Sequence, residues 1–333
     1  MKIFKIVLTI LCLTSISFAN EKVENIDIKN KEMLNTIYEQ VILKDSQKAV
    51  EDIKALEKEA TNSKTEKAKQ EFKNLVKSWK SVQSTYILGE LNEDYIDTPR
   101  LIDIYHHGNE DIKVQLDRAI ESKDAPRIAL FKNSLKSINA LEYVLHTKDI
   151  KDKRVNEITL TIIKRIKSHL EDINNEYKAQ HKTFLNDLKK ANGILINKLI
   201  QNTYKLKEWR IGDVVGLSKK YKDSFDNKRG EYFISKNSSL AIDSILNTYK
   251  NVFNNKAYYD YGNYLVDLTH NEQVDVLRNS ITKAISLNEK IKNDDFKDAK
   301  ELYKVTNTIH VVLFLDLIEE LSINAKIIDA DGD

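Results

Sequence analysis

The stretch "SINALEYVLHT", Ser137–Thr147, decides how this chain is read. Ile138, Leu141 and Leu145 recur at three- and four-residue spacing, which turns them to one side of a helix. Glu142 falls inside the edge of that apolar stripe, and Asn139 and His146 share its flank. Upstream, Phe131, Ser134 and Leu135 extend the stripe, so the spacing predicts a single helix over 126–147, opened by Pro126. A carboxylate beside a core must be paired, hydrogen-bonded, protonated or bound to a cation, because a lone buried charge costs several kcal/mol. Glu142 is therefore either a tie to a basic or phenolic side chain of a neighbouring helix, or the acidic group of a polar pocket.

The same periodicity runs outward in both directions. Apolar stripes at 31–44, 47–60, 65–87, 109–122 and 126–147 predict a first helical bundle. Stripes at 154–183, 184–206, 238–254, 272–292 and 296–323 predict a second. With only 8 glycines and 2 prolines in 333 residues, helix breakers are scarce. The expectation is an all-α protein of two packed helical bundles, divided into 20–183 and 184–333 near Thr183, after a leader at 1–19. Trp79 and Trp209, each late in a lysine-rich helix, are a weak sign that the bundles arose by duplication. The connection Tyr86–His107, broken by Gly89 and Pro99, is long enough to be a functional loop.

The opening "MKIFKIVLTILCLTSISFAN" reads as a signal peptide: Lys2 and Lys5, a short apolar run, then Ser17-Phe18-Ala19 before a cleavage site. That run is shorter than the roughly 20 residues of a membrane span. Cys12, the single cysteine, would leave with it. The mature chain then has balanced charge and no thiol. This excludes an electrostatic case for nucleic acid, a cysteine nucleophile and a cysteine-ligated metal. An exported chain without cysteine suits a bacterial periplasm.

Other chemistry-bearing residues carry weaker signals. His107 and Glu110 form a His-x-x-Glu interrupted by Gly108, His169 is read as facing solvent on a charged helix, and His310 as a satisfied core histidine. Tyr258, Tyr259, Tyr261 and Tyr264 surround Asp260, a composition open to ferric iron but more usual in packing. The tail "DADGD" stops before the glutamate that a calcium loop requires. No His-Glu-x-x-His, glycine-rich phosphate loop or Gly-x-Ser-x-Gly is present.

"SINALEYVLH" resembles the signature helix of the imelysin family, also known as insulin-cleaving membrane protease or iron-regulated protein A-like proteins, whose motif is Gly-x-His-x-x-Glu. Ser137 stands at the glycine, Asn139 at the histidine and Glu142 at the glutamate, and Tyr143 and Leu145 also match. The resemblance extends through Trp79, "RLIDIYHHGNEDIKVQLDRAI" and the ending "DLIEELSINAKIIDADGD", which closes in the Asp-Gly-Asp common in the family. It implies an exported protein of two related helical bundles with the motif near their contact, associated with iron uptake. "GEYFISKNSS" resembles a polar segment of the family's second bundle, which adds Ser235 and Ser238 to the pocket.

The departure from the motif bears on chemistry. Asn139 has a neutral amide in place of the imidazole and offers no basic nitrogen to zinc. The expected function is a periplasmic binding or accessory protein in iron or other metal acquisition, monomeric and without a membrane span. Its pocket would be formed by Ser137, Asn139, Glu142, His146, Ser235 and Ser238. Glu142 and Asn139 would meet iron, another divalent cation or a small polar ligand, and the partner would be an envelope iron-transport component. The alternatives are a divergent metal-dependent peptidase and a non-catalytic envelope interaction module.

Overall fold

A computed structural model describes residues 25–108 and 110–320. The leader expected at 1–19 and the "DADGD" tail lie outside them. Helix α1 spans 25–61, passing through a wider π-helical turn at Tyr38–Leu43. The stripes at 31–44 and 47–60 thus belong to one helix rather than two. Ser46, at the expected break, is accommodated inside the helix: its hydroxyl donates to the Leu43 carbonyl (2.8 Å) and to Asn174 Oδ1 (3.2 Å). Helix α2 is Thr65–Ser84, α3 Ile112–Glu121, α4 Ile138–Thr147 and α5 Lys153–Leu185.

The second half begins with α6, Leu188–Lys205, which continues through a π-helical turn at Leu206–Gly212 to Val215. Helix α7 is Ser238–Phe253, α8 Tyr261–Asp267 and α9 Asn271–Asn288. Helix α10 is Lys300–Val311, extended through Val312–Asp316 to Glu320. Aspartates cap several of these starts, accepting from backbone N–H groups that have no helical partner: Asp111 for α3, Asp152 for α5, Asp187 for α6 and Asp260 for α8. Among the described residues there is no strand, and no helix is long and apolar enough to cross a membrane.

In the first half α1 packs on α2 and α5, and α4 on α5, α2 and α3; in the second, α9 packs on α7 and α10. The two bundles meet where α7 and α6 lie against α2. The core is continuous across this contact, with Phe72, Val76 and Trp79 of α2 and Ile245 and Leu246 of α7 all buried.

The expected helix over 126–147 is broken. Pro126–Ala129 makes one turn, Leu130 leaves helical geometry, and a short 3-10 turn at Ser134–Lys136 precedes the start of α4. Phe131, assigned to the buried stripe, is 71% exposed, while Leu130 beside it is buried. Ser137 restarts the helix: its backbone is extended, and its hydroxyl accepts from Ala140 N–H (3.2 Å) while donating to the Ser134 carbonyl (2.8 Å).

Candidate functional site at the junction of the two halves

Because Ser137 caps α4, Glu142 sits on the second turn, facing the second half. The carboxylate is 4% exposed. Its Oε1 accepts two hydrogen bonds from one residue of the other half, Ser235 N–H at 2.8 Å and Ser235 Oγ at 2.7 Å. Lys236, the next residue, has φ +55°, an unusual left-handed conformation for a side chain of its size, directly beside this contact. Burial pushes the Glu142 carboxyl up to about 7; the Ser235 bonds and Lys113 pull it down, while the charge of Glu231 adds to the rise. Among the described residues no ammonium or guanidinium pairs with it. Of the two sequence readings, a tie to a basic or phenolic side chain or a polar pocket, the first has a serine where the basic or phenolic partner was expected.

The other predicted residues have separate partners. Asn139 Oδ1 accepts from Ile104 N–H at 2.9 Å, fixing the connection that follows α2. His146 turns to α2, its ring 5.5 Å from Phe72; its Nε2 is buried without a hydrogen-bond partner among the described residues. Burial, then the charges of Lys69 and Lys73, push the imidazole down to about 4. Ser238 gives its N–H to Asp294 (2.5 Å), which also accepts from Ser239 N–H at the start of α7. The structure therefore joins Glu142 to Ser235, while Ser137 caps α4, Asn139 anchors the connection Tyr86–His107, His146 packs on Phe72, and Ser238 opens α7 under an Asp294 cap.

A second buried polar group, which sequence reading missed, lies at the same junction. Lys80 of α2 is 0% exposed. Its ammonium bonds Asp103 Oδ2 (2.5 Å) and Glu231, and donates to Gln83 Oε1 (2.9 Å). Trp79 Nε1 donates to Asp103 Oδ2 (2.9 Å), and Arg210 of the second half meets Glu231 Oε2 (2.8 Å) and Gln83 Oε1 (3.0 Å). Burial raises the Asp103 carboxyl, but the charge and hydrogen bond of Lys80 and the bond from Trp79 outweigh it, bringing it to about 2. Between this network and Glu142 stands Tyr232, whose ring lies 5.3 Å from Lys80 Nζ and whose buried hydroxyl has no partner among the described residues.

The connection Tyr86–His107 acts as a strap across the junction. Tyr105 OH lies within bonding distance of the carbonyls of Trp209 (2.9 Å) and Arg229 (3.0 Å). His106, at φ +61°, stacks on Trp209 with ring centroids 4.5 Å apart and places Nε2 3.1 Å from Asp213. Trp79 is buried against Asp103 while Trp209 faces the strap, so the two tryptophans have unlike surroundings.

The remaining sequence candidates resolve structurally. His169 is buried, 8% exposed, rather than solvent-facing, because it continues the α5 stripe of Ile162, Ile166 and Ile173. His310 Nδ1 lies 3.0 Å from Thr203 Oγ1. Glu110 meets Lys132 and Ser134 at the surface. Tyr258, Tyr259 and Tyr261 donate to the Asn251 carbonyl, Asp267 and Asn192, and Asp260 caps α8; this is packing, with the phenols held protonated.

A resident metal ion does not fit these residues. Glu142 is held by serine donors, the Asn139 oxygen is taken by a backbone N–H, and the His146 ring faces Phe72. Among the described residues no three His, Cys, Asp or Glu side chains are grouped to hold a metal.

Comparison with known proteins gives the chain its relatives. An imelysin-like protein from Psychrobacter arcticum 273-4 superposes with a TM-score of 0.72 at 17% identity, covering 90% of this chain and 98% of that one. A putative iron-regulated protein A precursor from Parabacteroides distasonis ATCC 8503 gives 0.66 at 14% identity, covering 86% and 94%. At these identities the likeness is one of fold. No curated protein matches the sequence. The family model Peptidase_M75, Imelysin, matches residues 36–323, and the chain therefore belongs to the imelysin family.

Proposed function

We propose that the chain is an exported, periplasmic binding or accessory protein in iron or other metal acquisition, working at the junction of its halves and not as a peptidase. The observation that carries this reading is the engagement of both motif side chains. Asn139 holds the strap, and Glu142 holds Ser235 of the second half. Asn139 offers no basic nitrogen, and Glu142 Oε1 is already engaged by Ser235, which weighs against a metal-activated water held between them. What supports a role at the junction is the buried polar contact between the two bundles, Glu142 on one side and Ser235 on the other, beside the buried Tyr232. Iron is supported by the name of the Parabacteroides relative, a putative iron-regulated protein A precursor, and by the family resemblance.

The test is genetic and biochemical. A strain lacking the chain is expected to grow more slowly than its parent under iron chelation, with growth restored by added iron and by the wild-type gene. A Glu142→Ala, Ser235→Ala gene expressed at equal level is expected not to restore it. Equal growth of deletion and parent strains across metals would sink the reading.

One observation favours a second reading. A buried carboxyl near pH 7 suits a general acid or base, as a divergent peptidase would need. That reading requires cleavage of a denatured protein chain that Glu142→Gln abolishes, and the present account expects the chain to remain intact.

A further inference from the structure

A cavity of about 380 Å³ lies between the end of α2, the strap and α6. Its wall includes Arg100 and His107 of the strap and Lys198 and Lys205 of α6. The two lysines are seven residues apart, so one face of α6 presents both to the cavity, in line with buried Ile194. An amphipathic helix does not ordinarily turn two ammonium groups inward.

Their contacts are with neutral groups. Lys198 Nζ donates to Gln201 Oε1 (3.2 Å) and lies over the Tyr86 ring, while Lys205 Nζ lies 5.0 Å from the Trp209 ring centroid. The carboxylates of the wall are Glu90, Asp97 and Asp103. Asp103 is engaged by Lys80 and Trp79, and Asp97 meets Arg100 at 3.8 Å where both are largely exposed. Glu90 offsets part of the charge of Lys198. Lys205 faces Arg210, Arg100 and Lys80, with Asp103 as the opposing charge. Burial and these like charges push Lys205 down to about 8, and burial with the charge of Lys205 pushes Lys198 down to about 7. Gln83 Oε1 accepts from Lys80 and Arg210, which leaves its NH2 group as a donor for the cavity it lines.

We propose that this cavity binds a small multivalent anion bearing carboxylate or phosphate groups, with Arg100, Lys198 and Lys205 as its charge partners and Gln83 as a hydrogen-bond donor. The volume is that of a metabolite site, too small for a folded partner. Glu142 and Ser235 do not line it, so the proposal is independent of the junction reading above.

Calorimetry on the full chain with citrate and with inorganic phosphate, at constant ionic strength, tests it. Saturable binding of at least one anion is expected, and which one binds identifies the source chemistry as carboxylate or phosphate. Binding at pH 8 should take up protons as the lysines regain their charge, and affinity should fall as pH rises from 7 to 9. Lys198→Met and Lys205→Met should each weaken binding about tenfold. Both remove a half-buried charge from a cavity wall, so both should fold, as circular dichroism would verify; Lys205→Arg should keep the affinity if either does not. Glu142→Ala should leave binding unchanged. The proposal is overturned by no saturable heat with either anion at millimolar concentration, by undiminished binding in both methionine variants, or by loss in Glu142→Ala alone.

Discussion

Lys80 of α2 and Glu231 of the second half form an ion pair that solvent does not reach, directly across the contact between the two helical bundles. Asp103 completes the charge on one side and Arg210 on the other. Buried pairs add little net stability over an apolar filling of the same shape, but removing one member strands the others. Lys80→Met would remove the ammonium that lies between Asp103 and Glu231, leaving Arg210 paired with Glu231 and no direct ion pair to Asp103 among the described residues. It should lower the free energy of unfolding by about 3–5 kcal/mol, measured by urea titration at pH 7. Adding Asp103→Asn should recover part of the loss. A cost below about 1 kcal/mol, the range of surface pairs, would mean that water reaches the network.

Ser137 occupies the position of the motif glycine and caps α4. Glycine is also a tolerated cap, so the exchange keeps the helix start while adding a hydroxyl. Ser137→Ala should destabilise by about 1 kcal/mol, and Ser137→Gly by only a few tenths. Equal losses in the two variants would show that the cap bond is not what holds this turn.

The helices were legible because apolar spacing survives averaging over many residues, and the position of Glu142 inside a stripe correctly marked it as buried. The same signal was present and unread elsewhere. Lys80 follows Phe72 and Val76 at four-residue steps, and Arg210 follows Leu206, so both basic residues occupy stripe positions of buried faces. His169 falls on the stripe of Ile162 and Ile166. The break at 130–137 was not legible, since Phe131 and Ser134 match a helical period while the backbone at Leu130 does not continue it. The partner of Glu142 lies 93 residues away, a pairing that depends on how the bundles dock.

Glu142 should set a pH dependence of stability. Its carboxyl is raised in the fold from 4.5 to about 7, so the fold prefers the protonated form. Its contribution is most favourable below pH 4.5 and is lost as pH rises through 7. Glu142→Gln stays neutral and still offers an oxygen to Ser235. The variant should match wild type at pH 4 and exceed it at pH 8, by up to about 3 kcal/mol. Denaturation curves at the two pH values decide this, and a variant less stable at pH 8 would contradict it.

His169 should act in the opposite direction. Burial lowers its imidazole from 6.5 to about 4, and its Nε2 is buried without a partner among the described residues. Its neutral form is compatible with the fold above pH 6.5, and that stability is lost as pH falls through 4. His169→Leu should therefore resist acid better than wild type and gain about 1 kcal/mol at pH 7 from removal of an unsatisfied polar atom. Melting temperatures at pH 5 and 7 test this; a variant that is less stable at both would show that the ring has a partner.

The account turns on a motif carboxyl that is held by a serine of the opposite bundle rather than by a cation. Carboxyl-carbon NMR of the chain labelled at glutamate, with the Glu142 signal assigned from Glu142→Gln, measures this directly. The account predicts a titration midpoint near 7 that moves upward in Ser235→Ala and stays in place when Zn2+ is added. A midpoint at the ordinary 4.5, indifferent to Ser235, or one pulled down by Zn2+, would contradict it.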